Sequence, residues 1–274
     1  MAASCAAASY LERIQPSVTN ALQAIRGTWT TLAQTLARPY PVTIPMVGLM
    51  LLVPGYVFIA KYVAFGTVHA PELPLDRALP LLPVWALIYG ALYLFLIVLP
   101  VFVIRQEEHI RRTFWAYLTV WITAYVVFLV YPTVAPRPPE IAGDGFAVWG
   151  LRFLYDADPP HNCFPSLHVA HSFVSALTCY RLHRRLGLAA LLCASLVALS
   201  TLFTKQHYVT DVIAGILLAF AAYVMILRGY PRHNVPDLDR RLAPVLAFGV
   251  LAAVCLAVVG VWIAYQLTGR ASSG

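Results

Sequence analysis

The chain has 274 residues, of which 60% are hydrophobic and 11% are charged, and its mean hydropathy is +0.73. This composition excludes an ordinary soluble domain and is typical of a helical protein that crosses a membrane several times. The net charge of +7 does not predict a nucleic-acid partner, because the basic residues lie in short loops between apolar runs. The five cysteines have no metal-binding spacing and predict no disulfide.

Seven segments are apolar enough to predict membrane spans. They lie near residues 42–65, 81–104, 115–136, 165–181, 186–204, 207–228 and 242–267. We therefore predict an all-α fold, a polytopic transmembrane helical bundle without a second globular domain. The fourth segment is the least apolar of the seven. The N-terminus lacks the features of a signal peptide, so we expect the first span to direct membrane insertion.

The basic residues predict how the chain crosses the membrane. They concentrate in the N-terminal segment and in the loops after the second, fourth and sixth spans: Arg13, Arg26, Arg38, Arg105, Arg111, Arg112, Arg181, Arg184, Arg185, Arg228, Arg232, Arg240 and Arg241. By the positive-inside rule, residues 1–41 form a cytoplasmic segment. Residues 229–274 then form a cytoplasmic loop and the seventh span, whose end lies outside.

Two further stretches have apolar side chains at helical spacing. The first contains Leu22, Ile25, Trp29, Leu32 and Leu36, and it predicts an amphipathic helix on the cytoplasmic leaflet or against another subunit. The second lies in the long outer loop and contains Phe146, Trp149 and Phe153. These aromatic residues indicate either an anchor at the membrane interface or a lid over a site.

Polar residues that carry chemistry stand at the outer ends of three spans. Arg137 follows the third span, Pro165 to His168 open the fourth, and His207 to Asp211 open the sixth. The predicted topology brings all three clusters to one side of the membrane. Ionisable groups at the edge of hydrocarbon are costly, so they usually mark a functional site.

These residue types fit the transfer of a phosphoryl group. His207 and Asp211 are four residues apart and are expected to share a helix face, so the carboxylate can fix the imidazole tautomer and leave the other nitrogen free to attack. His168 is a second imidazole that can protonate a leaving oxygen. Helix N-termini at these positions favour a phosphate anion.

Three further side chains are candidates to hold the phosphate oxygens. They are Arg137, Ser166 and Lys205. A metal site that uses His168, His171, His207 and Asp211 is an alternative, although no further ligand cluster accompanies them. His161, in the outer loop, is a weaker site candidate.

The motifs resemble those of the type 2 phosphatidic acid phosphatase (PAP2) superfamily. The resemblance rests on Arg137-Pro138, on Pro165-Ser166-Leu167-His168, and on Ser200 followed by His207 and Asp211. It covers residues 42–228 as a six-helix catalytic core and leaves the seventh span outside. It implies a phosphohistidine on His207, His168 as general acid, Asp211 as the orienting carboxylate, and Arg137 and Ser166 as phosphate ligands. It implies no metal and no cofactor.

Two positions depart from the superfamily pattern. Val130 stands where the first motif has a lysine, and Thr201 stands where the third motif has an arginine. Lys205 is a candidate replacement for one of these cations. The segments around His168 and His207 are also similar to the inositol phosphorylceramide synthase branch, which transfers a head group between lipids.

We therefore expect a multi-pass membrane enzyme that hydrolyses a lipid phosphate or phospholipid at a site facing away from the cytoplasm. Transfer of a phosphorylated head group to a lipid hydroxyl is the alternative. Membrane transport is a more remote one, because intramembrane histidine and aspartate also occur in proton relays. The outer position of the polar residues and the absence of a sequence repeat disfavour transport.

Overall fold

A computed structural model describes residues 26, 48–49, 51–63 and 67–269. That part of the chain contains nine α-helices and no β-strand, which confirms the predicted all-α class. The helices are α1 (Leu52–Tyr62), α2 (Pro74–Ala78), α3 (Trp85–Val103), α4 (Glu107–Val130), α5 (Phe146–Ala157), α6 (Leu167–Leu182), α7 (Arg184–Phe203), α8 (Val209–Ala222) and α9 (Asp237–Gly269). A π-helical turn, Tyr223–Leu227, continues α8.

Five of the described helices are long and apolar enough to cross a membrane. They are α3, α4, α7, α9, and α8 together with its π-helical turn. These helices fit a multi-pass membrane protein. The predicted count of seven spans, the domain limits and the orientation stay predictions. The proposed amphipathic helix between residues 22 and 36 lies outside the described residues, except for Arg26.

Two helices begin earlier than the apolar pattern predicts. The third span was expected from residue 115, but α4 begins at Glu107. Glu108 forms ion pairs there with Arg111 and with Arg112, the latter at 2.6 Å. In addition, the positive end of the helix dipole stabilises acidic side chains in the first turn. Likewise α9 begins at Asp237 instead of residue 242. The charged residues that precede the apolar part of α4 and of α9 are therefore helical.

Helix α6 is the centre of the bundle. It packs against α3, α4, α7 and α8, and most of its residues are buried. Its low hydropathy follows from this position, because several of its polar side chains are satisfied inside the protein. Ser172 donates to the carbonyl of His168 at 2.7 Å, and Ser175 donates to the carbonyl of Leu96 at 2.5 Å. A helix that faces other helices does not need a uniformly apolar surface.

A close approach of α8 to α6 fixes the relative position of their N-terminal ends. Gly215 lies in α8, and a Cβ atom at this position would stand 2.6 Å from the carbonyl oxygen of Ser166. That separation is well inside van der Waals contact, so a larger residue would push the two helices apart. The residues at the start of both helices are thereby held together.

The loops on the same side of the bundle are also tied to one another. An isolated bridge pairs His69 with Thr133, and another pairs Val134 with His161. The hydroxyl of Thr133 accepts hydrogen bonds of 3.0 Å from the backbone N–H groups of Cys163 and Phe164. The segment after α4 is therefore pinned against the segment that leads into α6.

Candidate active site

Two histidines and a carboxylate form a contiguous chain at the N-terminal ends of α6 and α8. The Nδ1 atom of His168 lies 3.3 Å from the Nε2 atom of His207. The Nδ1 atom of His207 lies 3.4 Å from the Oδ2 atom of Asp211. The side chain of Asp211 is fully buried, and that of His207 is nearly so. The structure thus brings His168 next to His207, 39 residues further along the chain, and next to the carboxylate that His207 contacts.

The prediction that His207 and Asp211 share a helix face is wrong, because α8 begins only at Val209. Asp211 is the third residue of the helix, and its Oδ2 atom accepts the backbone N–H of Tyr208 at 2.9 Å. His207 lies in a preceding turn, where its backbone N–H donates to the carbonyl of Thr201 at 3.3 Å. The pair therefore forms through a helix cap and not through helical periodicity.

Arg137 is held rigidly beside the histidines. Its Nη1 atom donates to the carbonyls of Tyr155 at 3.1 Å and Asp158 at 2.7 Å, and its Nη2 atom donates to the side chain of Gln206. The guanidinium also stands 4.5 Å from the centre of the Tyr155 ring. Its Nε atom is buried and has no hydrogen-bond partner. One N–H of a fixed cation is therefore free for an anion.

Asp158, the residue directly after α5, is a site residue that sequence reasoning missed. Its Oδ2 atom lies 3.8 Å from Arg137 Nη2 and 4.0 Å from His168 Nε2, and its Oδ1 atom accepts the hydroxyl of Tyr56 at 2.9 Å. An acidic residue in a loop has no periodicity that would have identified it. Gln206 was also missed, although its position directly before His207 was a usable signal.

The other two predicted phosphate ligands are placed differently from Arg137. Ser166 is fully buried, and its hydroxyl oxygen caps α6 by accepting the N–H of Val169 at 3.3 Å. A hydroxyl that accepts a hydrogen bond keeps its own proton to donate. Lys205 instead extends its ammonium to the backbone carbonyl of Asp76, at 2.8 Å. No contact described in residues 67–269 joins Lys205 to the histidines or to Arg137.

The N-terminus of α8 is not free to bind phosphate, contrary to our expectation. The N–H of Val209 donates to the Oδ1 atom of Asp76 at 2.8 Å, and the N–H of Tyr208 donates to Asp211. Asp76, in α2, is itself buried. Protein carboxylates therefore occupy the anion position that the helix dipole favours.

The two positions that depart from the superfamily pattern have different surroundings. The side chain of Val130, the last residue of α4, is 73% exposed and lies on the surface of the bundle. Thr201 is fully buried, and its hydroxyl donates to the carbonyl of Ala198 at 2.8 Å. Neither position supplies a charge to the site.

The described residues contain one group with the spacing of a metal site, and it differs from the predicted alternative. Cys163, His207 and Asp211 each place a ligand atom within 4.8 Å of the others, whereas His168 and His171 are not part of the group. A metal-bound cysteine must be a thiolate. Burial, and then the charges of Asp211 and Asp158, raise the pKa of Cys163 well above its ordinary value. In the structure, Cys163 is therefore a buried neutral thiol close to His207 and Asp211.

The aromatic residues of the outer loop lie on α5, as their spacing predicted. The rings of Phe146, Trp149 and Phe153 stack in a row. Phe146 and Trp149 also contact Tyr265 of α9, at 5.4 and 5.5 Å between ring centres. These contacts join α5 to α9, while the other end of α5 supplies Tyr155 and Asp158 to the site.

Comparison with known proteins places these residues in a family. The family model described as the PAP2 superfamily matches residues 61–225. The chain is 31% identical over 112 residues to a PA-phosphatase related-family protein of Dictyostelium discoideum, a match that covers 35% of this chain and 20% of that protein. It is 30% identical over 95 residues to an uncharacterized protein of Methanocaldococcus jannaschii, with 35% and 39% covered. No solved structure matches the chain.

The matched region includes α3, α4, α6, α7 and α8, and therefore all the residues of the histidine site. It covers more than half of the chain, whereas the chain spans well under half of the length of either relative. The arrangement of Arg137, His168, His207 and Asp211 at one end of a helical bundle agrees with the resemblance seen in the motifs. The chain belongs to the PAP2 superfamily.

Proposed function

We propose that this protein hydrolyses a lipid phosphoester through a phosphohistidine on His207. The observation that carries the proposal is the contact of 3.3 Å between His207 Nε2 and His168 Nδ1, with Asp211 at 3.4 Å from the opposite nitrogen of His207. With its proton on Nδ1, His207 faces Asp211 through an N–H and presents a lone pair at Nε2. Family membership supports a phosphatase-type activity.

The reaction has two steps that use the same pair of histidines. In the first, Nε2 of His207 bonds to phosphorus, the bond from phosphorus to the lipid oxygen breaks, and His168 gives its proton to that oxygen. In the second, water attacks phosphorus, His168 takes the proton of the water, and the bond from phosphorus to His207 breaks. Phosphate leaves and both histidines return to their starting forms.

Two donors near the histidines are available to bind the phosphoryl oxygens. The unpartnered Nε–H of Arg137 is the donor in the described residues that best fits a phosphoryl oxygen, and the hydroxyl proton of Ser166 is a second. Attacking and leaving atoms lie on opposite sides of phosphorus. The phosphoryl group must therefore separate the two imidazoles as it enters.

Transfer to a lipid hydroxyl is the second candidate. Val130 and Thr201 supply no cation, so a doubly charged phosphate monoester is held by fewer charges than the superfamily pattern provides. A diester carries less charge and loses less by their absence. We rank hydrolysis first because water reaches a site at the outer end of a bundle unless a specific element excludes it.

We also propose that the site faces away from the cytoplasm. The opposite ends of the helices carry most of the arginines, among them Arg105, Arg112, Arg181 and Arg232. Positive charge on that side agrees with a cytoplasmic location under the positive-inside rule.

A substrate panel with purified protein tests the activity. Phosphatidate, a polyprenyl phosphate and a sphingoid phosphate are each supplied in mixed micelles, with His207→Ala protein as the control, and free phosphate is measured. Release by wild type alone supports hydrolysis. Labelled phospholipid is then supplied with ceramide or diacylglycerol. A labelled new lipid that forms at the expense of water-soluble product would reverse our ranking.

A further inference from the structure

A second carboxylate faces the histidine pair from the side opposite Asp211. Nε2 of His168 lies 4.0 Å from Oδ2 of Asp158, and Nδ1 of His207 lies 3.4 Å from Oδ2 of Asp211. Between these contacts, Nδ1 of His168 and Nε2 of His207 are 3.3 Å apart. Each imidazole therefore turns one nitrogen toward the other ring and its second nitrogen toward a carboxylate.

Both carboxylate oxygens of Asp158 have a partner. Oδ1 accepts the hydroxyl of Tyr56 at 2.9 Å, and Oδ2 lies 3.8 Å from Nη2 of Arg137. Tyr56 is held in turn, because the side-chain amide of Asn162 donates to its backbone carbonyl at 3.0 Å. The side chain of Asp158 is 17% exposed, and a charge so far removed from water is stable only with such partners. The carboxylate is therefore fixed in place before substrate binds.

The ring of His168 is confined on its other sides. The rings of Tyr89 and Tyr93 in α3 meet it edge-on, at 5.4 and 4.9 Å between ring centres. These aromatic contacts limit rotation of the imidazole, and Asp158 supplies its charged contact in the described residues. At 4.0 Å this contact is electrostatic and longer than a hydrogen bond.

We infer that Asp158 is a positioning residue for the proton transfers of His168, as Asp211 is for the attack by His207. A lone pair on Nε2 of His168 would face the carboxylate and be repelled by it, so the neutral ring keeps its proton on Nε2. His168 then exchanges protons at Nδ1, the nitrogen that faces His207 and the phosphoryl group bound there. The inference rests on the proposed function and adds a residue to it.

The contact determines where each proton goes. Before the first step, both nitrogens of His168 carry a proton, and Asp158 compensates the charge of the ring. As His207 bonds to phosphorus and the lipid oxygen leaves, the proton on Nδ1 moves to that oxygen. His168 is then neutral, with a proton on Nε2 and a lone pair on Nδ1. When water attacks phosphorus and His207 leaves, Nδ1 takes the proton of the water.

Asp158→Asn tests the charge, because it keeps the size of the side chain and an oxygen for the hydroxyl of Tyr56. On the lipid phosphate that wild type hydrolyses fastest, kcat should fall at least about tenfold, and by no more than the roughly 10²- to 10⁴-fold contribution of a general acid. KM should change by less than about twofold, since the effect is on the chemical step. Nitrophenyl phosphate needs little protonation of its leaving group and should show little loss.

The matched control is Asp156→Asn. Asp156 lies two residues earlier, in α5, and is exposed. This variant should match wild type on both substrates. Wild-type turnover of the lipid by Asp158→Asn, or equal losses on the lipid and on nitrophenyl phosphate, would overturn the inference.

Double variants show which partner Asp158 acts through. In His168→Ala protein, Asp158→Asn should cause no further loss on the lipid, because the group that it positions is gone. In Arg137→Lys protein, the same change should still lower kcat. Tyr56→Phe releases Oδ1 but keeps the charge, so it should give a smaller loss with the same dependence on the leaving group. A loss that persists without His168 and disappears in Arg137→Lys would assign Asp158 to Arg137 and reject the inference.

A measurement without turnover separates this inference from the proposed function. In protein with isotope-labelled histidine, nitrogen chemical shifts distinguish the two tautomers of a neutral ring, and the signals of His168 are identified by their loss in His168→Ala. Wild type and Asp156→Asn should hold the proton on Nε2, whereas Asp158→Asn should give a mixture. A proton on Nδ1 in wild type would reject the inference. Absence of phosphate release by wild type from every substrate would instead reject the proposed function.

Discussion

The backbone N–H of Ser166 donates a hydrogen bond of 3.0 Å to the backbone carbonyl of Asp211. Both residues are fully buried, and each belongs to a different motif. Ser166 caps the helix that carries His168, and the carboxylate of Asp211 lies 3.4 Å from Nδ1 of His207. This bond therefore fixes the distance between the two histidines through the backbone, and it depends on the close approach of the two helices at Gly215.

The close approach predicts that Gly215→Ala is harmful. A Cβ atom would meet the carbonyl oxygen of Ser166 at 2.6 Å, so α8 must move away from α6. We expect lower thermal stability and a fall in kcat of at least about tenfold, since small displacements of catalytic groups are costly. Gly249→Ala is the control, because a Cβ atom there meets nothing within 4 Å. In a helix that change normally stabilises, by about 1 kcal/mol. Full activity of Gly215→Ala would contradict this account.

The roles of the two histidines predict different responses to the leaving group. His207→Ala should retain less than about one per cent of activity on every substrate, because the uncatalysed reaction is extremely slow. His168→Ala should lose roughly 10²- to 10⁴-fold on a lipid phosphate, the usual contribution of a general acid. A nitrophenyl ester needs little protonation and should recover much of that loss. Equal losses on both substrates would argue against His168 as the acid.

The contacts of Arg137 predict that lysine cannot replace it. The fork holds two carbonyls and Gln206 while Nε has no partner, and an ammonium cannot reproduce this set. We expect Arg137→Lys to lower kcat/KM by roughly 10- to 100-fold, the value of one charge-assisted hydrogen bond. Arg152→Lys is the control, since Arg152 bonds the carbonyls of Ile141 and Gly143 and is exposed. Similar losses in both variants would show an effect on the loop instead of the site.

The proposed reaction predicts that no metal is needed at this site, because His207 is the nucleophile and Arg137 and Ser166 supply the donors for the phosphate oxygens. The thiol of Cys163 lies close to His207 and Asp211 but has no role in that reaction. Cys163→Ala should keep near wild-type kcat, and dialysis against a chelator should leave activity unchanged. Loss of activity on chelation, followed by recovery with one divalent ion, would restore the metal hypothesis.

Cysteine labelling in intact cells can test which side of the membrane the site faces. Cys163 is buried, and Gly145 has a φ of +102° that disfavours a side chain, so neither is a good probe position. Ala142 is exposed in the same loop, and Asn234 is exposed near the opposite ends of the helices. In a variant without the native cysteines, Ala142→Cys should react with an impermeant thiol reagent before lysis, and Asn234→Cys only afterwards. The reverse pattern would invert the proposed topology.

Much of the site was predictable because its residues combine local motifs with helix direction. Arg137, His168 and His207 each stand at a span end, and alternating helix directions bring those ends to one side. Hydropathy likewise predicted most helices. It placed the start of α4 near residue 115 instead of at Glu107, because a charged first turn lowers hydropathy while its ion pairs favour a helix.

The sequence by itself determined the fold class, the family resemblance and the nature of the reacting groups, since each depends on residue type and spacing along the chain. Only the tertiary structure decided what surrounds those groups. It placed Asp158 beside Arg137 and His168, and it directed Lys205 to Asp76. These contacts join segments that are distant in the chain, and their geometry depends on how helices pack, which no local pattern records.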